Sequence, residues 1–291
     1  MLAALAMAAA ALSAEIAFES PRAEGPEGVS ALAHVSGDRY YCVDDRGGWL
    51  HEVTIEIGDG KASFTTNRAV RLVGRKDLEG CALDPLTRNV WVADEGDTSV
   101  RAFDPSTGRE VASLKLPDVY KKHVRKYRSL ESLAISPDGL RLYTANEENL
   151  SCDPTNVVRI QEFVRKGAAS DFRPSRQFFY EVDPPGGRAF RKKPFSGVSA
   201  LLVMADGSLL VLEREFSVKK ILPTFRSRLY RIVPGKPGKE LVWGADMGFS
   251  NYESICFGPR LRDGRQSLIL VSDGGAGAFE NILVLALGTE P

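Results

Sequence analysis

One arrangement of apolar and polar residues recurs five times along the chain. Each copy starts with an acid or Ser and a small residue, runs through two short apolar stretches separated by a turn, and ends in one or two acids. The copies start at residues 27, 79, 131, 196 and 253, so that successive starts are 52, 52, 65 and 57 residues apart. Internal periods of this length are typical of propeller blades and solenoids.

The apolar stretches predict strands rather than helices, because they are four to six residues long, rich in Val, Ile, Leu and Tyr, and bounded by turn formers. Two further apolar stretches follow each of the first four copies, for example residues 50–57 and 62–72. One stretch, residues 282–287, follows the fifth copy, and residues 16–18 are expected to supply the missing strand. The sequence therefore predicts an all-β propeller of four-stranded antiparallel blades, closed into a ring by the N-terminal strand. Five modules are counted, and a sixth, degenerate blade within residues 163–195 is the alternative.

The repeat is expected to gather acids at one end of the propeller. Opposite residues of an antiparallel hairpin have a constant index sum, so the start of each first strand meets the end of each second strand. The first strand of a blade is normally innermost, and these ends should surround one mouth of the central channel. The acids predicted to crowd this mouth are Glu27, Asp44, Asp45, Glu79, Asp94, Glu95, Glu131, Glu147, Glu148, Glu213, Glu215, Glu253 and Asp273.

Crowded carboxylates point to a bound cation, because like charges raise one another's pKa values unless a metal ion or an arginine neutralises them. Flexible carboxylate loops suit the six to eight oxygen ligands of Ca²⁺ better than the geometry of Mg²⁺, so Ca²⁺ is the predicted metal. The predicted ligands are Glu27, Asp44, Glu79, Asp94, Glu131, Glu147, Glu213, Glu253 and Asp273. For any single acid, the alternative is a strand cap that pairs with Arg46 or Arg214.

Two basic segments, residues 120–128 and 188–193, are expected on the same face as these acids. Beside a metal-loaded acidic ring they would hold a small anionic substrate such as a phosphate ester. A bound water would then be the nucleophile of a metal-assisted hydrolysis. The side chains predicted to meet the substrate are Arg46, Lys121, Lys122, Arg125 and Arg214. An equally good interpretation is a solvated loop that offsets the acidic charge.

Composition narrows the classes of function. Lys and Arg number 38, as do Asp and Glu, and this zero formal charge disfavours a nucleic-acid binder. The apolar residues 1–12 are too few for a membrane span, which needs about 20, so stable membrane insertion is not expected. Followed by Ser13 and Ala14, they are typical of a secretory signal that lacks the usual basic start. We expect residues 1–14 to be a signal segment, residues 15–291 to be a single propeller domain, and the protein to be secreted or periplasmic.

The five modules, in this order, resemble those of the phytase-like family. This family is also called "esterase-like activity of phytase". The resemblance extends from about residue 25 to residue 287. Its matching segments are residues 28–32 with 44–46, 78–80 with 91–96, 130–139 with 146–148, 210–214, and 251–254 with 258–259, 263–265 and 270–273. It implies a secreted or periplasmic propeller with a phosphoesterase or esterase role, without defining a mechanism.

Together, these observations lead to the hypothesis of a Ca²⁺-binding propeller that hydrolyses an anionic ester at the acidic mouth of its channel. A non-catalytic propeller that binds a ligand or a partner through the same ring is the alternative. The number of metal ions and the oligomeric state do not follow from the sequence.

Overall fold

The computed structural model describes residues 11–22, 24–75, 77–125, 128–189, 194–219, 222–274 and 280–289. These residues form five antiparallel sheets arranged as the blades of a β-propeller, which confirms the predicted fold and the count of five. Blade 1 consists of β2 (Val29–Ser36), β3 (Arg39–Asp44), β4 (Trp49–Gly58) and β5 (Lys61–Arg71). Blade 2 consists of β6 (Leu78–Leu83), β7 (Val90–Asp94), β8 (Ser99–Phe103) and β9 (Glu110–Ser113).

The remaining blades follow the same strand order. The short helix α1 (Asp118–His123) precedes blade 3, which consists of β10 (Leu130–Ile135), β11 (Arg141–Asn146), β12 (Val157–Val164) and β13 (Arg173–Glu181). Blade 4 consists of β14 (Phe195–Val203), β15 (Leu209–Lys219), β16 (Leu222–Ile232) and β17 (Glu240–Gly248). Blade 5 consists of β18 (Asn251–Tyr252), β19 (Cys256–Arg260), β20 (Gln266–Asp273), β21 (Asn281–Thr289) and the N-terminal β1 (Leu12–Pro21). No helix in these stretches of the chain is long and apolar enough to cross a membrane.

The N-terminal strand closes the ring, as predicted. β1 pairs with β21 as the outermost strand of blade 5, while β18 and β19 both pair with β20 and together serve as its inner strand. The pairing begins at Leu12 opposite Thr289, three residues before the predicted start of the domain at residue 15. Leu12 and Ala14 also pack on the apolar cluster shared by blades 4 and 5.

The hydrophobic core is divided into five clusters, one between each pair of neighbouring blades. Successive side chains of a strand point to opposite faces of its sheet, and each blade has a neighbour on both faces. Val211 therefore packs toward blade 3 while the next residue, Leu212, packs toward blade 5. This explains why the strand patterns are continuous apolar runs rather than strict alternations of apolar and polar residues.

The inner strands carry a repeated irregularity. In the first four blades the pairing with the second strand slips by one residue, at Ser30, Glu79, Glu131 and Ser199. Such a bulge leaves one residue unpaired and turns its side chain away from the regular alternation. In blade 5 the equivalent residue is Glu253, in the break between β18 and β19. The bulges place one residue of each blade at the same level of the channel.

Neighbouring inner strands also approach one another closely. A Cβ atom on Gly80, just after the bulge of blade 2, would lie 2.8 Å from the backbone nitrogen of Leu133 in blade 3. Real side chains do not tolerate such a distance to backbone, so glycine is required at this position. The channel is correspondingly narrow, and its wall includes Ala31, Glu79, Glu131, Ser199 and Glu253, one residue from each blade.

Candidate metal and anion site

Each blade contributes two equivalent positions to one end of the channel, here called the acidic mouth. The inner tier consists of the bulge residues Ser30, Glu79, Glu131, Ser199 and Glu253. The outer tier consists of the second-strand positions just beyond these bulges, at Asp45, Glu95, Glu147, Arg214 and Asp273. Seven of these ten positions carry an acid, and blade 4 alone places a base in the outer tier.

The outer-tier base Arg214 pairs with carboxylates of the two blades beside its own, blades 3 and 5. Its guanidinium lies 3.1 Å from Glu131 Oε1 and forms further ion pairs with Glu147 and Glu253. It also donates a hydrogen bond of 3.2 Å to Asn251 Oδ1. The Arg214 side chain is only 8% exposed, so it is a cation built into the mouth. We call Arg214, Glu131, Glu147 and Glu253 the Arg214 cluster.

Burial and neighbouring charges shift the pKa values of Arg214 and Glu131 within this cluster. Burial acts to lower the pKa of Arg214, but Glu147 and Glu131 raise it above its usual value, so the guanidinium stays charged. Burial and the neighbouring Glu147 raise the pKa of Glu131 well above its usual value, against the opposing effect of Arg214. Arg128 adds a second positive charge, because it pairs with Glu147 and lies 3.1 Å from Glu148 Oε1.

A second group of carboxylates, in blade 2, contains no arginine. One carboxylate oxygen from each of Asp77, Glu79 and Glu95 lies within 4.8 Å of the other two, and all three residues are partly exposed. The backbone holds this acid trio in place, since the Glu95 N–H donates to the Asp77 carbonyl at 2.8 Å. The Ser129 N–H of blade 3 donates to Glu95 Oε1 at 2.7 Å.

Burial and neighbouring carboxylates disfavour the ionised forms of the acid trio. Burial, followed by the charges of Glu131 and Glu95, raises the pKa of Glu79 well above its usual value. Burial likewise raises the pKa values of Asp77 and Glu95. Burial and the charge of Asp273 raise the pKa of the adjoining outer-tier residue Asp45 to about 6. An external cation would remove this repulsion, since opposite charge favours the ionised form of a carboxylate.

The trio fits a hard divalent cation. Its ligand atoms are all carboxylate oxygens, and their separations suit an ion about 2.3–2.6 Å from each of them, the range for Ca²⁺. Ser132 lines the same channel beside Glu79 and Glu131 and is only 1% exposed. Its Oγ makes no hydrogen bond to any part of the chain that the structure describes. A buried hydroxyl without a partner indicates that water or an ion belongs at this level of the channel.

Two predicted ligands of the second strands are held by neighbouring residues, and Asp94 Oδ2 also pairs with Arg75 Nη1 at 3.4 Å. Asp44 Oδ2 lies 2.9 Å from His51 Nε2, and Asp44 Oδ1 accepts the Arg46 N–H at 3.1 Å. Burial acts to raise the pKa of Asp44, but the hydrogen bond with His51 and those from the turn lower it. Asp94 Oδ1 accepts the Gly96 N–H at 3.0 Å in the corresponding turn. Both precede the outer tier by one residue and therefore lie on the opposite face of the strand.

Two other predicted ligands are held by local partners. Glu213 is fully buried, and its Oε1 lies 2.6 Å from both Tyr180 Oη and Lys239 Nζ, in the interface with blade 3. Glu27 precedes β2, has a side chain that is 78% exposed, and lies 2.7 Å from Arg46 Nη1. The structure therefore brings neither Glu213 nor Glu27 to the acid trio, and Arg46 is engaged by Glu27.

The predicted basic residues separate into two places. Lys121 and Lys122 lie on α1, both exposed, and Lys122 Nζ pairs with Asp118 one turn earlier at 3.0 Å. Arg125 is exposed and lies across an isolated β-bridge from Arg128. Arg128 pairs with the outer tier, and the next residue, Ser129, binds Glu95, so both adjoin the acid trio. We call Arg125, Arg128 and Ser129 the basic loop.

Sequence reasoning overlooked Asp77 and the part played by Arg128. Asp77 directly precedes β6, whereas the second copy of the repeat starts at Glu79. Its structural equivalents Gly28, Ser129, Gly197 and Asn251 carry no acid, so the repeat gave no signal at this position. Arg128 lay within a predicted basic segment, but its ion pairs with Glu147 and Glu148 depend on tertiary structure.

The opposite mouth of the channel has a different character. A cavity of about 240 Å³ opens there, lined mainly by aliphatic side chains from the far ends of the inner strands. Leu32, Leu133, Leu201 and Ile255 are among them, together with Phe257. Charged chemistry is therefore concentrated at the acidic mouth.

The family model named phytase-like, described as "Esterase-like activity of phytase", matches residues 25–274. The chain belongs to the phytase-like family. The match covers the inner strands of all five blades and every acid of the two tiers. A comparison of this phytase-like propeller with curated proteins finds no significant sequence match.

Several solved structures are similar to the phytase-like chain at low sequence identity. Myxococcus xanthus glutaminyl cyclase is 12% identical with a TM-score of 0.54, over 97% of this chain and 100% of that one. The periplasmic gluconolactonase PpgL of Pseudomonas aeruginosa is 14% identical with a TM-score of 0.45, over 91% and 87%. Kuenenia stuttgartiensis hydrazine synthase is 15% identical with a TM-score of 0.44; the match covers 90% of this chain but only 63% of that one.

Proposed function

We propose that this phytase-like propeller is an exported, Ca²⁺-dependent hydrolase of a small anionic ester, such as a phosphate ester, at the acidic mouth. One observation carries the proposal: the carboxylate trio, which suits a cation, is hydrogen-bonded to the residue that follows Arg128, and an arginine suits an anion. The Ser129 N–H that binds Glu95 at 2.7 Å follows Arg128 in the chain. Cation and anion sites side by side are the arrangement that metal-assisted ester hydrolysis requires.

Each part of the site has a separate task in this proposal. A bound divalent ion would supply Lewis acidity and lower the pKa of its water. Asp77, Glu79 and Glu95 would hold the ion with their carboxylate oxygens. Arg125 and Arg128 would bind the anionic oxygens of the ester through charge-assisted hydrogen bonds. Arg214 keeps Glu131, Glu147 and Glu253 paired, so these carboxylates do not compete for the ion.

Release of 4-nitrophenol from its phosphate ester, with Ca²⁺ or with a chelator, tests the activity. We expect turnover only with Ca²⁺, and a loss of at least about 100-fold in Glu79→Gln, which removes a proposed ligand. Glu56→Gln is the matched control, because Glu56 is an exposed acid of β4 in blade 1. Equal rates for Glu79→Gln and wild type, or wild-type rates at the level of buffer, would refute the proposed hydrolase.

The second candidate is a non-catalytic propeller that binds a ligand or partner through the same mouth. The Arg214 cluster favours it, because a buried arginine that satisfies three carboxylates makes half of the mouth a fixed structural element. Under this alternative, Ca²⁺ would bind tightly and raise the melting temperature, while none of a panel of phosphate and carboxylate esters would be hydrolysed.

Export is proposed from residues 1–14. Because β1 begins at Leu12, removal of all fourteen residues would take three paired residues out of the closing strand. Expression of the full chain in a bacterial host, followed by fractionation and N-terminal sequencing, tests the export. Recovery of uncleaved protein in the cytoplasm alone would contradict it.

A further inference from the structure

The strands of blade 4 extend beyond those of the other blades at the acidic mouth. β15 continues past Arg214 to Lys219, whereas β7 and β11 end at Asp94 and Asn146, just before their outer-tier residues. Five additional residues lengthen a strand by roughly 16 Å. β16 pairs with this extension from Leu222 onward. We call residues 215–219 and 222–226 the blade 4 arm.

A row of three phenylalanines lies on one face of blade 4, two of them in the arm and the third on the neighbouring strand β14. Phe216 follows Arg214 by two residues, so both side chains are on the same face of β15. Phe216 pairs with Phe195 of β14 and with Phe225 of β16. Its ring centroid lies 6.4 Å from that of Phe195 and 5.0 Å from that of Phe225. All three rings remain partly exposed, so the row presents an aromatic surface beside the mouth.

Phe195 connects this row to the proposed site. The guanidinium carbon of Arg128 lies 4.6 Å from the centre of the Phe195 ring, and that of Arg214 lies 5.7 Å from it. Arg128 belongs to the basic loop and pairs with Glu147 and Glu148. The aromatic row therefore starts at the arginine that is proposed to bind the anionic part of the ester.

We propose that Phe195, Phe216 and Phe225 bind an aromatic ring of the substrate, which makes the substrate class an anionic ester of a planar aromatic alcohol. This inference rests on the proposed function, because it assigns the part of the ester that lies beside the anion. Aromatic rings stack in offset or edge-to-face arrangements at the centroid distances already present within the row. A polyol ester presents no aromatic ring to this surface.

Equilibrium binding of two phosphonates tests the inference without requiring turnover. Methylphosphonate and benzylphosphonate share the same anionic group and differ in the ring, and titration calorimetry in Ca²⁺ gives both affinities. We expect wild type to bind benzylphosphonate about tenfold more tightly. Phe216→Ala should reduce this ratio to about threefold or less and leave methylphosphonate affinity unchanged, whereas Phe216→Tyr, which keeps a ring, should retain the preference.

Phe179→Ala is the matched control, because Phe179 is also an aromatic ring under an arginine but lies on β13, 64% exposed. Arg159 lies 5.0 Å from its ring centre. Retention of the benzyl preference in this variant supports the assignment to the blade 4 arm. Equal affinities of wild type for the two phosphonates, or loss of preference in Phe179→Ala, would overturn the aromatic row alone. Failure of both phosphonates to bind would overturn the proposed anion site together with it.

Discussion

Two groups of carboxylates at the same mouth differ in whether an arginine of the chain pairs with them. In the Arg214 cluster, one buried arginine satisfies Glu131, Glu147 and Glu253. In the acid trio, Asp77, Glu79 and Glu95 approach within 4.8 Å of one another with no arginine among them. Glu79, Glu95 and the carboxylates of the Arg214 cluster belong to the repeated tiers, whereas Asp77 lies just outside them. A single base in the outer tier of blade 4 separates the two groups. The comparison shows that one base at a repeated position divides the acidic ring into a part with an internal cation and a part whose carboxylates have no arginine among them.

The largest expected effect is the loss of the built-in cation. Arg214→Met would remove the arginine that three buried carboxylates share, and removing one side of a buried ion pair costs about 3–5 kcal/mol. Urea unfolding measures the change. Arg141→Met is the control, because Arg141 is half-exposed and lies 3.6 Å from Glu162, so its loss should cost less than about 1 kcal/mol. If the two variants lost similar amounts of unfolding free energy, the Arg214 cluster would be no more stabilising than an exposed ion pair.

The second effect concerns the trio and its ion. Ca²⁺ at 100 times its dissociation constant should raise the free energy of unfolding by about 2.7 kcal/mol through mass action. Urea unfolding with Ca²⁺ and with a chelator gives this difference. Asp77→Asn should lose most of the gain because it removes one proposed ligand. An undiminished gain in that variant would show that the ion binds elsewhere.

Neutralising one acid in each group should change the stability of the metal-free protein in opposite directions. Glu147→Gln weakens the pairs with Arg214 and Arg128 and should cost about 1.5–3 kcal/mol. Asp77→Asn relieves repulsion from Glu79 and should leave stability unchanged or raise it slightly. Melting temperatures of the two variants in chelator compare them directly. If both variants were destabilised to the same extent, Asp77 would have a stabilising partner within the protein, as Glu147 does.

The smallest effect is a pH dependence of the metal-free protein. Asp45 and Asp94 have pKa values raised to about 6, first by burial and then by the charges of Asp273 and Asp97 respectively. Between pH 4 and pH 6 the folded state therefore holds more protons than the unfolded state, and stability falls as the pH rises through this window. In chelator we expect the melting temperature to drop by about 2 °C from pH 5 to pH 7. A rise over this range would contradict the raised pKa values.

The fold was predictable because its signals are local. Turn formers and apolar stretches define each hairpin, and the fifth copy lacked one strand that residues 16–18 supplied. The sequence did not predict for each acid which face of its strand carries the side chain. At the bulge of blade 2, Leu78 pairs with Asp94 but Gly80 pairs with Ala93, so a constant index sum does not hold across it.

Alternation along the second strands explains further differences in the predicted site. Asp44, Asp94 and Glu213 each precede an outer-tier residue by one position, so they lie on the opposite face of the strand. Glu79, Glu131 and Glu253 line the channel as predicted, because the bulges themselves turn them inward. The reach of Arg214 across the mouth to blades 3 and 5 depends on tertiary structure, which no spacing along the chain encodes.

A crystal structure of the protein soaked in Ca²⁺ tests the division of the mouth most directly. One ion should lie about 2.3–2.6 Å from oxygens of Asp77, Glu79 and Glu95, with Arg214 still paired to the carboxylates of its cluster. An ion bound among Glu131, Glu147 and Glu253, or a trio without an ion at saturating Ca²⁺, would contradict this account.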